Sequence, residues 1–518
     1  MSRASGRRWI GEPIRRGACE LSVGPSVSVP GTGGPFGAPA GYDIFMPYGQ
    51  SNIFFGGFYD GSIDLTDPSI FQFGYNAPHA NAIFAAQEPL DFRDDGNHVG
   101  GVNNTPPGNY IGHDMHFLRD YYKPNAAGGR RMLLCGNSYG GQGIDKLVPS
   151  TINGGTDGFL WTDFITRAPL ALAAAGAGSQ YKAVLFHQGE GDYQINWVPP
   201  FVPPNPTALQ IQNRQDIRRA YLAALIDLVR SSSGLSVPNL PWVQGQVTVW
   251  SVDAGGANFG TEGVIQDKVN QELVNRVPYT GFAVNNGMGT SNVHYTAAEQ
   301  RLFAAQYWIA YQAALLNTRS AVTWPAIDVP VSDFVVSNSN LDITGGAASN
   351  WKSAIANGGR IGEKFYAEME AVAVASQTNM MAGITAPFLD SSTYMGNSGA
   401  IFGARTKGAA VWGGQPNSVT GWTVANAVSI GTITAGTRIK FAVDQTTGKA
   451  WVGKTGAAWP NSGDPASGTN PWITGIDAKH RIALAVSIFN GAGNKWRLHT
   501  NTGDFSDAVP SGFAPMGT

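Results

Sequence analysis

The stretch Tyr42-Asp-Ile-Phe-Met-Pro-Tyr-Gly-Gln-Ser-Asn52 decides how the chain is read. Its first part is a short apolar run, the pattern of a buried strand. It then breaks into a glycine turn that carries Ser51. Open parallel sheets collect ligands just outside the carboxyl ends of their strands, so a hydroxyl at this point is well placed to react. The turn is not the Gly-x-Ser-x-Gly elbow, because Ile53 stands where the second glycine belongs.

Working outward, the same pattern recurs. Arg131-Met-Leu-Leu-Cys135 is a second apolar strand and leads to Gly140-Gly-Gln-Gly143. Lys182-Ala-Val-Leu-Phe186 is a third and leads to His187-Gln-Gly-Glu-Gly-Asp192. A fourth strand is expected over Trp242–Trp250. Three- and four-residue apolar spacing predicts helices over Ile211–Ser231 and Ala297–Leu316. Asn292-Val-His294 precedes the second of these. Short strands alternating with helices predict an α/β domain with a mainly parallel sheet.

A serine nucleophile needs a base and donors for the developing oxyanion. His294 is the candidate base. A glycine amide of the 140–143 turn, Gly141 among them, and the Gln188 side chain are candidate donors. Ser51 also has a structural alternative as a helix cap. His187 reads as structural. His113-Asp-Met-His116 lacks further ligands at recognisable spacing, so no metal site is expected.

These four blocks, in this order, resemble the SGNH hydrolases, and within them the sialate O-acetylesterase-like branch that also holds acetylxylan-type esterases. The resemblance covers about residues 42–318 and rests chiefly on Gly49-Gln-Ser-Asn52 together with His187-Gln-Gly-Glu-Gly-Asp192. It implies an SGNH-type three-layer fold without a cofactor. Ser51 would be the nucleophile and His294 the base, and the Ser51 amide, a glycine amide at 140–143 and Gln188 would form the oxyanion hole. Gln50, Asn52 and Asp192 are expected to face substrate. The family's aspartate three residues before the base is replaced by Ser291. Losing a triad carboxylate costs about 10⁴-fold in a protease, so either another group takes the role or the site is weak or inactive. Glu190, Asp192 and a backbone carbonyl are the candidates to orient His294.

From Asn317 to Val331 the chain reads as a linker, and helix signals then fade. Strand-like runs follow at Lys364–Glu370, Arg438–Asp444, Lys449–Val452 and Ile482–Ser487, with Asp444-Gln-Thr-Thr-Gly448 as a hairpin loop. Short strands at this spacing predict an all-β sandwich. Phe441-Ala-Val-Asp-Gln-Thr-Thr-Gly-Lys-Ala-Trp451 and Gly463-Asp-Pro-Ala-Ser-Gly-Thr-Asn-Pro471 resemble SPRY domains, in the variant seen in bacteriophage and prophage structural proteins. The expected organisation is an N-terminal arm over 1–41, an esterase domain over 42–318, a linker over 319–335 and a SPRY-like domain over 336–518. Trp451 and Trp459 are expected in the core, whereas Trp412, Trp422 and Trp472 are candidates for sugar stacking.

Composition narrows the function classes. Net charge is −2 and only 14% of residues are charged, against about 25% in ordinary domains. No electrostatic field here would draw nucleic acid or an anionic membrane. Two cysteines, Cys19 and Cys135, are too few for a disulfide scaffold. The arginine-bearing N-terminus lacks the apolar core of a signal peptide, and no stretch reaches the ~20 apolar residues of a membrane span. Two functions are compatible with these features. One is an esterase that removes acyl groups from surface polysaccharide, carried on a virion tail and joined to other tail proteins by the N-terminal arm. The other is a receptor-binding tail protein on an inactive esterase fold. Homo-oligomers are open to either, although no coiled-coil heptad stands out.

Overall fold

Eight of eight residues in the first strand, β1 (Tyr42–Gly49), are buried, as its apolar run demands. The computed structural model describes residues 41–54, 56–91, 110–126, 128–193, 207–248, 257–289, 294–319, 321–326, 334–346, 350–397, 401–413, 417–489 and 493–518. Residues 1–40 of the expected N-terminal arm, with Cys19, lie outside the described residues. So do His98, Trp250, Ser291 and Asn292.

The first sheet contains β1, β2 (Ile70–Phe73), β3 (Ile83–Ala85), β4 (Arg131–Leu134), β5 (Asn137–Ser138), β6 (Gln180–His187), β7 (Trp242–Gly245) and β8 (Thr280–Ala283). Its order is β3-β2-β4-β1-β6-β7-β8, with β5 continuing beside β1. All pairings are parallel except β2 with β3. β1 is central. The chain first builds outward on its β4 side and then on its β6 side. That reversal opens a crevice at the carboxyl end of β1.

Along β1 side chains alternate between the faces. Ile44, Met46 and Tyr48 join one core with helices α1 (Phe159–Ala175) and α2 (Ala208–Ser231). Phe45 joins the other, with Phe303, Tyr307 and Tyr311 of helix α4 (Ala297–Leu316). Helix α3 (Ala257–Arg276) lies between α2 and α4 in sequence. Both α2 and α4 start at a capping box, Thr207 with Gln210 and Thr296 with Glu299, which satisfies two orphan amides at each end. The result is the expected α/β, three-layer architecture with a mainly parallel sheet.

The fourth expected strand is shorter than its apolar run. After Gly245 the Val247 amide turns to Asp267 (3.2 Å) and the Thr248 amide to Glu190 (3.2 Å), so the ladder ends there.

From Phe334 onward the described strands form two sheets. One is centred on Lys364–Ala373, between Arg438–Asp444 and Lys495–His499. The other runs Trp351–Ile355, Ala483–Phe489, Met380–Thr385, Gly408–Trp412 and Ser418–Thr420. Neighbours within both are antiparallel, apart from a short parallel pairing of Ala514–Pro515. The sheets share a core holding Phe365, Met369, Ile384 and Val486, which makes a sandwich. Asp444 pairs with Lys449 across a hairpin whose Gly448 has φ +71°. Trp451 is buried as expected, but in a separate small cluster with Tyr366 and Ala442, and Trp459, also expected in the core, is only half-buried against that cluster. Trp472, expected as a sugar platform, is only 1% exposed and packs in the core shared by the two sheets; its indole carries more apolar area than its Gly/Asn/Pro-rich surroundings suggested.

The described residues all fall in one compact unit. A polar seam joins α2 to the sandwich. Asp216 accepts from the Ser391 amide and hydroxyl (both 2.8 Å), and Gln212 donates to the Ser391 hydroxyl (2.6 Å). Arg481 pairs with the buried Asp227 (2.7 Å).

Candidate active site

The ladder register sets the site. Gly49 pairs with Ser138 on one side and His187 on the other. The ends of three strands are thereby level, and the segments leaving them meet. A Cβ on Gly49 would lie 2.0 Å from the His187 carbonyl, so only glycine allows this approach.

Ser51 opens one turn of 3-10 helix, Ser51–Ile53, whose cap position is held by Gln50. The capping alternative for Ser51 therefore fails. Its Oγ instead lies 2.8 Å from His294 Nε2. His294 stands two residues before Thr296, the cap of α4. Both residues are half-buried. Position 291, where Ser291 replaces the family's aspartate, lies outside the described residues.

Under the turn lies a closed polar floor. Glu190 is buried, and Oε1 accepts from Asn52 Nδ2 (2.8 Å), His187 Nε2 (2.9 Å) and the Thr248 amide (3.2 Å). Its Oε2 accepts from Gln50 Nε2. Gln50 Oε1 takes the Gly191 amide (2.9 Å), and Asn52 Oδ1 takes the Tyr295 amide (3.3 Å). Burial pushes the Glu190 carboxyl up, but pairing with His187 and the amide donors outweigh it and hold the group below the ordinary carboxylate range. His113, also buried, stacks on Tyr307 and meets Gln300. Burial, with the His187 ring nearby, holds it neutral, at about 3.

Several expected roles change. Glu190 makes no hydrogen bond to His294; all its donors come from the nucleophile turn, His187 and Thr248. It positions Ser51's neighbours rather than the base. Gln50 and Asn52, expected to touch substrate, are 1% and 0% exposed and clamp the turn from below. Asp192 is equally buried. It accepts from the Ile144 amide (2.7 Å) and pairs with Arg218, so it holds the segment after the 140–143 turn in place from a position closed to solvent. Burial raises its pKa and Arg218 partly offsets that. Gln188 is fully buried; its Nε2 donates to the Gln142 carbonyl (3.2 Å) and its Oε1 accepts from Arg218. It supports the glycine turn instead of donating into the crevice. In each case the strand ends pack too closely to leave these amides and acids in solvent. Gly141 does face solvent, at the exposed crest of its turn with φ +65°.

Arg218 was missed. It lies in α2 on the stripe of Leu222, Leu225 and Val229, fully buried. A charge at an apolar-stripe position calls for buried partners. Its partners are Asp192, Gln188 and Asn270 Oδ1 (2.8 Å). Among the described residues no group of three His, Cys, Asp or Glu side chains is placed to hold a metal.

A serine hydroxyl on a histidine at the carboxyl end of a central parallel strand, set on a closed polar floor, defines a serine-esterase class of site. The model of the family "Carbohydrate esterase, sialic acid-specific acetylesterase" matches residues 41–313, and the chain belongs to that family, one of carboxylic ester hydrolases. Similar solved structures include a protein from Arabidopsis thaliana (20% identity, 54% of this chain and 99% of that one, TM-score 0.37). A carbohydrate acetylesterase from Xanthomonas citri is also similar (15%, 64% and 67%, TM-score 0.37). So is the SPRY domain of human HERC1 (13%, 32% and 91%, TM-score 0.24). No curated protein matches. No described helix is long and apolar enough to cross a membrane.

Proposed function

We propose that Ser51 and His294 hydrolyse O-acetyl or similar acyl esters of a surface polysaccharide. The observation that carries this reading is the 2.8 Å contact between Ser51 Oγ and His294 Nε2 at the carboxyl end of β1. His294 takes the hydroxyl proton as Ser51 Oγ attacks the acyl carbonyl. The Ser51 amide and a glycine amide of the 140–143 turn receive the oxyanion. The tetrahedral intermediate collapses, His294 protonates the departing sugar oxygen, and an acyl-serine remains. Water, deprotonated by His294, then releases the acid and restores Ser51.

The place of action proposed is a virion tail. Its support is the likeness of the C-terminal sequence to phage-type SPRY variants and the Gly/Pro-rich arm over 1–41, which suits docking to other tail proteins. Acylated polysaccharide is the proposed substrate, with recognition by the sandwich as its second half.

Hydrolysis of p-nitrophenyl acetate and of an O-acetylated polysaccharide tests the chemistry. Ser51→Ala and His294→Ala are each expected to lower kcat/KM by about 10³-fold or more. A wild type inert on both substrates and unlabelled by a fluorophosphonate overturns the reading and leaves a glycan-binding protein.

A further inference from the structure

Gly56 and Gly57 lie against the start of α4, the helix that follows the base. A Cβ on Gly56 would lie 2.0 Å from Gln300 Cγ, and one on Gly57 (φ +92°) 2.7 Å from the Ala297 amide nitrogen. Ala297 is three residues past His294. The Gly56 amide donates to the Ile111 carbonyl (2.8 Å), and the Ile111 amide returns to the Gly57 carbonyl (3.1 Å). An isolated antiparallel bridge then pairs Phe58 with Tyr110. The segment is thus fixed at one end by the nucleophile turn and along its length by the helix that follows the base.

At its end Phe58 is 66% exposed. Its ring stacks on Tyr110, with centroids 5.5 Å apart and planes 21° apart. A lone exposed phenyl is ordinary. This one is backed by a second ring, pinned by a backbone bridge, and follows directly on Gly57, which abuts Ala297 in the first turn of the helix after His294. Such a pair of rings is a flat, preformed apolar face that loses little conformational freedom when something packs on it. A pyranose ring offers a matching surface, since its axial C–H groups form an apolar patch while its hydroxyls point outward to water.

We propose that Phe58, backed by Tyr110, is the platform on which the sugar ring of the acylated substrate stacks, and so selects carbohydrate esters over simple ones. This rests on the esterase reading of Ser51 and His294. Phe58 is a specificity residue and takes no part in bond making.

Phe58→Ala is compared with wild type on p-nitrophenyl acetate, which has no sugar ring, and on an O-acetylated sialoside and an O-acetylated xylo-oligosaccharide. For whichever saccharide the wild type hydrolyses, KM is expected to rise roughly tenfold, the size of one good aromatic contact. kcat/KM on p-nitrophenyl acetate stays within about twofold, and Phe58→Trp restores the saccharide KM. An unchanged saccharide KM in Phe58→Ala overturns the platform. So does an equal loss on p-nitrophenyl acetate in both variants, which marks a structural role. Saturation-transfer NMR on Ser51→Ala and Ser51→Ala/Phe58→Ala reads binding of the same saccharides without turnover. If wild type hydrolyses nothing while saccharide binding still depends on Phe58, the esterase reading fails and the platform stands. No Phe58-dependent binding of either saccharide overturns the platform.

Discussion

The floor beneath Ser51 and the seam between α2 and the sandwich are both made of buried polar pairs, yet they are wired differently. In the floor, four donors from Gln50, Asn52, His187 and Thr248 converge on the single carboxylate of Glu190. In the seam, the Gln212–Ser391–Asp216 cluster and the Arg481–Asp227 pair stand apart, with no residue in common. A convergent network allows one arrangement of the turn it supports, because moving any donor disturbs the rest. Separate groups of contacts hold two surfaces together and let one group fail without the other. The difference fits their tasks: a nucleophile must be held to a fraction of an ångström, whereas a seam needs only enough contacts.

Three substitutions break or sharpen that contrast. The largest effect is expected from Glu190→Ala. It leaves four buried donors without their acceptor, and unfolding by urea should show a loss of about 3 kcal/mol or more. kcat/KM on p-nitrophenyl acetate should fall at least about 100-fold, since the Ser51 turn loses its clamp. A near-normal rate would show that the floor does not set the nucleophile. Ser391→Ala comes next. It removes two side-chain contacts of the seam and should lower stability by about 1–2 kcal/mol with esterase rates unchanged. A rate loss comparable to that of Glu190→Ala would erase the distinction between the two regions. Asp267→Asn is the smallest and the most dependent on pH. Asp267, at the edge of the floor, accepts from Gln246 (2.9 Å) and the Val247 amide. Burial, with a contribution from Glu190, pushes its pKa up to about 7. A raised carboxyl pKa means the folded state binds its proton more tightly than the unfolded chain does. Its contribution is therefore fully present below the unfolded value and is lost as pH rises to about 7. The Asn variant removes that slope. Urea midpoints measured from pH 4 to 8 should decline less steeply than in wild type, with a gain of about 1 kcal/mol at pH 8. An identical pH profile would show that Asp267 is ionised throughout.

Glu190 itself follows the opposite sign. Its folded pKa is depressed, so the stability it lends is present above the unfolded carboxyl value and fades as pH falls through the folded one.

Much of this molecule is legible in its sequence. The apolar runs at 42–48, 131–135 and 182–186 announce the sheet, and α4 begins and ends where its periodicity does. The glycine turns after those runs mark the crevice, because few other features put glycine and serine directly behind a buried strand. Ser51 and His294 come together as expected. What the sequence does not carry is direction. Gln50, Asn52, Gln188 and Asp192 have the chemistry of substrate contacts, and only the close approach of β1 to β6 turns them inward. Thr248 contributes a backbone amide, which any residue type supplies, so no pattern marks it. Arg218 left a trace, a charge among Leu222, Leu225 and Val229, that a search for unmatched charges on apolar stripes would find. Phe58 leaves none, because exposure is invisible in composition.

Helix α2 has one further consequence. Its Arg218 holds the Gln188 and Asp192 block, while its Gln212, Asp216 and Asp227 grip the sandwich. One helix thus belongs to both halves of the chain. Recombination that exchanged the sandwich for an unrelated one would strand buried acids on a helix that also steadies the crevice. The two halves are therefore poor candidates for shuffling as independent cassettes, and they are expected to diversify together, with variation collecting in loops that face away from α2.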